Sequence, residues 1–293
     1  KIFEVYGKRR PMSQSLGVVY AAFGRAYLAM ALASTATLRL TNPLIPFTVV
    51  TDVPLDPNAI PWFSENDRVT CSDVPQSANR TVKTSIYALS PYEKSLFLDA
   101  DTLVLGSLDF ISFALDHFEV LARVVDAPPA IPRTAHRILG SSWPMHQSAM
   151  CNGGVIAFRR SSGAEDFFAQ WSRGFQALGL NLDQPSLLDA LFSSSVRFFG
   201  LPERFNGGSR TRDVAIWHYM RRADRTARQL VEQVGRSVLD KGAEESHELA
   251  RAMRPRNARK RRSVSYLWDR NADLLLKSPA AHAVGAIAER GWI

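Results

Sequence analysis

Two aspartates interrupt a segment that otherwise has the composition of a buried strand: Ser95-Leu96-Phe97-Leu98-Asp99-Ala100-Asp101-Thr102-Leu103-Val104-Leu105. An ionised carboxylate buried without a partner is costly, so a pair of them among apolar residues needs compensation. In extended chain, residues i and i+2 share a face, and their Cα atoms lie roughly 6.5–7 Å apart. That is close enough for both side chains to converge on one ion. No Lys or Arg lies within the run, so a hard divalent cation held by carboxylate oxygens is the economical compensation. The bland alternative, two acids at a solvent-facing strand end, leaves the apolar flanks without a reason.

The elements around this pair alternate. Residues 16–22 form a short apolar run with β-branched content, a predicted first strand. Apolar and small residues then recur at helical spacing over 26–40, and Asn42-Pro43 ends that helix. Residues 47–51 read as a second buried strand closing at Asp52, which completes a βαβ unit with a right-handed crossover as the default. A third strand is expected at 69–71, a helix at 81–89 stopped by Pro91, and then the strand that carries the acidic pair. Further strands are expected at 119–125, 154–158, 196–199 and 215–219, with helices at 164–178 and from the capping Asp183 to residue 191. Residues 127–147, rich in Pro and Ser, read as a long loop of the kind often used for binding. From 223 to 253 the pattern is helical and basic. Such alternation predicts an α/β fold, a mostly parallel central sheet covered on both faces. Ligands of such sheets bind beyond the carboxyl ends of the strands. Ala21-Ala22-Phe23, Asp52 and the acidic pair all fall at or near predicted strand ends.

Composition narrows the function classes. A hydrophobic fraction of 46% and a charged fraction of 22% are those of an ordinary globular chain, which excludes global disorder. No apolar stretch is long enough to span a bilayer, and the first residues lack a signal-peptide layout. Cys71 and Cys151 are too few and too far apart for a disulfide framework or a zinc site. Two buried thiols are expected, in a reducing, cytoplasmic setting. The formal net charge of +8 is concentrated late in the chain, with Arg251, Arg254, Arg256, Arg259, Lys260, Arg261 and Arg262 in one block. Such a block is usually solvated. It also suits peripheral contact with anionic lipid headgroups, or with nucleic acid. A second scatter, Arg204, Arg210, Arg212, Arg221, Arg222, Arg225 and Arg228, lies nearer the candidate chemistry.

With these residues in place, the stretch from Lys83-Thr84-Ser85-Ile86-Tyr87 through Leu98-Asp99-Ala100-Asp101-Thr102 resembles the donor-site core of nucleotide-sugar glycosyltransferases of the GT-A fold. It is most similar to glycosyltransferase family 8, the glycogenin and lipopolysaccharide-galactosyltransferase type. The Asp-x-Asp triplet alone is weakly specific, and the flanks and the order of three further segments carry the likeness. Cys151-Asn152-Gly153-Gly154-Val155 is similar to the family's Asn-Ser-Gly strand. Leu182-Asp183-Gln184-Pro185 matches its Asp-Gln segment. Leu201-Pro202-Glu203-Arg204-Phe205-Asn206 resembles the segment that ends in a conformationally important Asn. The resemblance covers residues 16–219.

The resemblance implies a GT-A catalytic domain over 12–222 with a helical, basic extension over 223–293. The implied activity is transfer of a sugar from a nucleoside-diphosphate donor, UDP above all, to a hydroxyl on a glycan, glycolipid or protein, with retention of configuration. Asp99, Asp101 and His218 would then hold Mn²⁺ or Mg²⁺, Asp99 also lying near the donor ribose. Ala21, Ala22 and Tyr27 would cradle the base, and Asp52 would stand near the base or ribose, with Ala100 between the two acids. Lys83 would meet the donor phosphates or sugar. Asn152, Gly153, Asp183 and Gln184 would line the pocket for the transferred sugar. One segment departs from the family pattern. After its metal-binding His the family commonly continues with Gly and a Lys-Pro-Trp segment, where this chain has Met220-Arg221-Arg222-Ala223-Asp224.

Two rival functions compete with this one. A sugar-nucleotide nucleotidyltransferase should carry a Gly-rich, basic loop directly after its first strand, and Ala21-Ala22-Phe23-Gly24-Arg25 is a poor match. A basic nucleic-acid-binding module accounts for the block at 251–262 but leaves the acids unexplained, so nucleic acid is not the expected partner.

Overall fold

The structure, a computed structural model, describes residues 16–71, 79–126, 149–179, 183–208, 213–219 and 225–239. The expected loop at 127–147, the basic block at 251–262 and the Met220–Asp224 departure lie outside them.

Along the chain run β1 (Leu16–Ala21), α1 (Arg25–Thr41), β2 (Phe47–Thr51), β3 (Arg68–Cys71), α2 (Asn79–Thr84), α3 (Ile86–Leu89), β4 (Lys94–Leu98) and β5 (Thr102–Val104). They are followed by α4 (Asp109–Ala114), β6 (Val120–Val125), β7 (Met150–Arg159), α5 (Ser162–Leu178), α6 (Gln184–Ser193), β8 (Phe198–Gly200), β9 (Ile216–His218) and α7 (Arg225–Val238). Seven strands form one sheet in the order β3-β2-β1-β4-β7-β6-β8, and β5 pairs with β9 in a second, two-stranded sheet. In the large sheet β3, β2, β1 and β4 are parallel, β7 is antiparallel to both β4 and β6, and β8 is parallel to β6.

Alternation along the central strands feeds two cores. Val18, Tyr20, Leu96 and Leu98 join one buried cluster with α1 and α7, while Val19 and Phe97 join another with α5 and α6. A period of two sends successive side chains to opposite faces, so these strands need apolar residues at nearly every position. Helix α1 begins at Gly24, whose φ of 79° takes the left-handed side that glycine tolerates. Helix α5 is capped by the Ser161 hydroxyl, which accepts from the Ala164 N–H, and ends at Gly179 with φ 58°. The buried face of α7 (Ala227, Val231, Val234) belongs to the α1 side of the molecule, so the helical reading of this basic stretch is right as far as residue 238.

Several expectations are corrected. The run 95–105 is not one strand: β4 stops at Leu98, the chain turns through Asp99-Ala100-Asp101, and β5 leaves for the second sheet. The helix expected at 81–89 is two short helices separated at Ser85. Strand β7 starts four residues earlier than expected, so Asn152-Gly153-Gly154 lies inside a strand. Cys71 is exposed, and only Cys151 is a buried thiol.

Candidate metal and donor-sugar site

Because β4 ends at the carboxyl edge of the sheet, Asp99 emerges where such sheets bind ligands. Its backbone N–H still donates to the Gly154 carbonyl at 2.8 Å, the last rung of the β4–β7 ladder. Three residues later β5 has a new partner: Thr102 lies opposite His218, and the Tyr219 N–H donates to the Asp101 carbonyl at 3.1 Å. The break in the expected strand is therefore what brings His218 to the acids. His218 Nε2 lies 3.4 Å from Asp101 Oδ1 and 3.9 Å from Asp99 Oδ2. One ligand atom from each of the three residues falls within 4.8 Å of the others.

The other ring nitrogen fixes the tautomer. His218 Nδ1 is 2.9 Å from Asn206 Oδ1. An amide oxygen only accepts, so Nδ1 carries the hydrogen; in the neutral ring Nε2 turns a lone pair toward the acids, and in the protonated ring it donates to Asp101. The Asn206 Nδ2 points at the Asn152 carbonyl, 3.5 Å away, and Arg123 Nη1 donates to the Asn206 carbonyl at 2.6 Å.

Two consecutive glycines make room for this arrangement. Strand β7 bulges: Ala122 of β6 faces Ile156, but Arg123 faces Asn152, so residues 153–155 fall out of register with β6. A Cβ on Gly154 would sit 2.0 Å from His218 Cε1. A Cβ on Gly153 would point the other way, to 3.0 Å from Asp183 Oδ2 and 3.5 Å from Lys83 Nζ. The bulge thus separates the side that holds His218 and Asp101 from a second side that holds Lys83 and Asp183, with Asp99 reaching both.

On the second side Lys83, from the last turn of α2, stands 2.9 Å from Asp99 Oδ1 and 3.1 Å from Asp183 Oδ2. The cation missing from the acidic run is thus supplied from another element. Asp183 precedes α6 and is buried, but its side chain makes no cap hydrogen bond. The sequence-based cap is corrected: the carboxylate turns to Lys83, while the Asp183 carbonyl accepts from Trp171 Nε1 at 3.1 Å and from the Ser186 hydroxyl at 3.0 Å. The approach of Lys83 to Asp183 Oδ2 is ionic, and that buried oxygen has no hydrogen-bond donor among the described residues.

Charge settles how these groups titrate. Burial would depress Lys83, but Asp183 and Asp99 outweigh it and hold the ammonium well above the usual lysine range. Burial would raise Asp183, but Lys83 keeps it below the usual carboxylate range. Burial also opposes the ionisation of Asp101, which the hydrogen bond and charge of His218 nonetheless pull down. Asp99 is pushed up by burial, against the pull of Lys83 and His218. His218 is raised: the attraction of Asp101 and Asp99 exceeds the burial that would lower it. Three carboxylates face one ammonium here, an excess of two negative charges when His218 is neutral.

The remaining predicted residues fall nearby or at the sheet edge. Asn152 accepts from the Gly154 N–H through its own side chain at 3.0 Å. Gln184 opens α6 next to Asp183 and is partly exposed. Asp52 accepts from the Gly24 N–H at 2.6 Å and so is tied to the head of α1, beside Ala21. Ala22 and Ala100 are buried, so what they offer a ligand is backbone; Tyr27 is half-buried against the α1-side core. The structure adds Arg80, one turn before Lys83 on α2, whose charge also lowers Asp183. It adds Arg123 as well, for which the sequence holds no signal, because its role depends on a bulge. Burial and the charge of Asp183 push the Cys151 thiol up to about 12, so it is no nucleophile at neutral pH.

No protein-family model matches the chain, and no curated protein does. Solved structures do. The galactosyltransferase LgtC, in complex with donor and acceptor sugar analogs, matches with TM-score 0.56 and 17% identity over 81% of this chain and 100% of its own. The bifunctional glycosyltransferase WbbM matches with TM-score 0.54 and 16% identity over 84% of this chain and 53% of its own. GlyE of Streptococcus pneumoniae TIGR4 matches with TM-score 0.52 and 13% identity over 84% of this chain and 66% of its own. At these identities the likeness is one of fold: this chain has the GT-A glycosyltransferase fold, the fold that the resemblance of its segments implies.

Proposed function

We propose that this protein is a divalent-metal-dependent glycosyltransferase that moves a sugar from a nucleoside diphosphate, UDP by preference, to a hydroxyl acceptor with retention of configuration. The observation that carries the proposal is the convergence of Asp99, Asp101 and His218 Nε2 at the carboxyl end of the sheet, where Asp183 and Lys83 also meet and two negative charges are in excess once His218 is neutral and the three acids are ionised. That excess suits a dication. Two carboxylates with one imidazole suit Mn²⁺ better than Mg²⁺, which favours oxygen alone.

Asp99, Asp101 and His218 would hold the ion. When bound, it stabilises the charge that gathers on the diphosphate as the bond to the sugar breaks. Ala21, Ala22, Tyr27 and Asp52 line the base and ribose end, at the edge of β1 and β2. Lys83, held in its charged form between two acids, presents a fixed cation where phosphate and sugar meet. Asp183 stays ionised beside Lys83, so its carboxylate accepts from sugar hydroxyls and steadies positive charge at the anomeric carbon; it donates no proton. Asn152, Gly153 and Gln184 complete the sugar pocket. With retention, the acceptor hydroxyl passes its proton to the departing phosphate oxygen, and no base on the far side is needed. Residues 12–222 form the catalytic unit in this reading. The basic extension at 223–293 contacts an anionic membrane surface, where a glycolipid acceptor would lie. Glycan and protein hydroxyls remain competing acceptors.

A panel of nucleotide sugars tests the proposal. Mn²⁺-dependent donor hydrolysis by the wild type, lost in Asp101→Ala, is the expected result. A thermal midpoint indifferent to Mn²⁺ and every nucleoside diphosphate would refute it. Binding abolished by moderate salt, with no nucleotide effect, would favour nucleic acid instead.

A further inference from the structure

A chain of hydroxyls crosses the apolar layer between β1, α1 and β5. Tyr20 Oη lies 3.1 Å from Ser34 Oγ, Ser34 Oγ lies 3.2 Å from Thr102 Oγ1, and Thr102 Oγ1 donates to the Asp99 carbonyl at 2.8 Å. All three side chains are inaccessible to solvent. Each hydroxyl has one hydrogen to give. Because that of Thr102 goes to Asp99, Ser34 must donate to Thr102, and Tyr20 to Ser34. The direction of the whole chain is thus set by its end, the carbonyl that opens the Asp99-Ala100-Asp101 turn.

Buried hydroxyls gain little for stability over well-packed apolar groups, and they are expensive when unpaired. Tyr20 belongs to a buried apolar cluster that includes Leu28, Leu32, Leu98 and Leu103, and Ser34 and Thr102 are equally buried. What they add is orientation. Tyr20 immediately precedes Ala21 at the edge proposed to take the nucleoside, and Thr102 pairs with His218 directly after the two acids. The turn itself has left the large sheet, so the ladder no longer fixes the Asp99 peptide on its carbonyl side.

We propose that Thr102, supported by Ser34 and Tyr20, is a positioning residue that aligns the acidic turn with the nucleoside edge. This inference rests on the proposed metal-dependent function. Loss of the Thr102 hydroxyl lets the Asp99 peptide rotate, which moves both carboxylates relative to His218 Nε2 while leaving the fold in place.

The test is the Mn²⁺ concentration that gives half of the maximal thermal shift, without turnover, for wild type, Thr102→Val, Thr102→Ser and Ser34→Ala. Thr102→Val keeps the shape and removes the donor. It is expected to raise the Mn²⁺ midpoint about tenfold, the scale of an outer-shell change. Thr102→Ser is expected to restore the midpoint. Ser34→Ala, a milder change one hydrogen bond further out, should raise it by a smaller factor and covers the case in which Thr102→Val does not fold. The KM for the nucleotide sugar should rise with the Mn²⁺ midpoint. An unchanged Mn²⁺ midpoint in Thr102→Val, or in Ser34→Ala where Thr102→Val does not fold, would overturn the inference and leave the proposed function standing, whatever the melting temperature. A wild type that Mn²⁺ does not stabilise would overturn the function first, and this inference with it.

Discussion

His218 is the residue on which the proposed metal site turns, because one proton would decide whether it binds a cation or repels it. Its two acidic neighbours raise its pKa above the ordinary value, so a proton competes for Nε2 at higher pH than usual. The sign follows directly. In the metal-free protein the protonated ring is stabilising below the unfolded pKa of about 6.5, and that contribution fades as pH rises through the raised folded value. Mn²⁺ binding at the proposed site should run oppositely, weakening as pH falls through the same value. Titrations at pH 6, 7 and 8 are expected to show a steady gain in Mn²⁺ affinity, and His218→Asn should flatten that trend. Gly154 gives a second prediction at this scale. A Cβ placed 2.0 Å from His218 Cε1 cannot be absorbed without moving the ring. Gly154→Ala should cost about 1–3 kcal/mol, read by denaturant unfolding, and abolish the Mn²⁺-dependent thermal shift.

Helices α5 and α6 determine where the Asp183 carboxylate stands. Trp171 is fully buried among Phe167, Phe168 and Leu187, and its indole N–H holds the Asp183 carbonyl where α6 begins. The ring therefore both packs and aims. Trp171→Ala should cost about 3–5 kcal/mol in chemical unfolding. Trp171→Phe should keep most of that stability, yet slow donor hydrolysis, since the Asp183 peptide loses a donor. Strand β7 works in the same way through its bulge. An unbroken ladder would put side chains where Gly153 and Gly154 now leave space for Lys83, Asp183 and His218.

Taken whole, the molecule divides its charge. The described site holds an excess of acid, while the chain carries a formal +8, much of it beyond residue 250. No helix among the described residues is long and apolar enough to cross a membrane. Removing residues 251–293 is expected to lower partitioning onto anionic liposomes several-fold, roughly the effect of losing several basic residues at a charged surface. The truncated chain should keep its Mn²⁺-dependent melting shift, because the three proposed ligands are all upstream. Unchanged partitioning would dismiss the membrane role without touching the catalytic proposal.

Local pattern was enough for the α/β class, for β1, α1, β2 and α5 to within a residue or two, and for the acids as the focus of the site. Those features follow from periodicity of two or 3.6 and from the cost of burying charge, which are properties of a few neighbouring residues. The resemblance of four segments added His218, Asp183 and Lys83 to the expected site, and the fold holds all three within charge contact of Asp99. Three things were beyond reach of any local rule: the exit of β5 into a second sheet, the bulge at residues 153–155 and the turning of Asp183 from cap to ion pair. Each depends on which distant strand or helix offers the next hydrogen bond or charge. Thr102 could be read as one more strand residue, and only packing against Ser34 of α1 shows it tied to the Asp99 carbonyl.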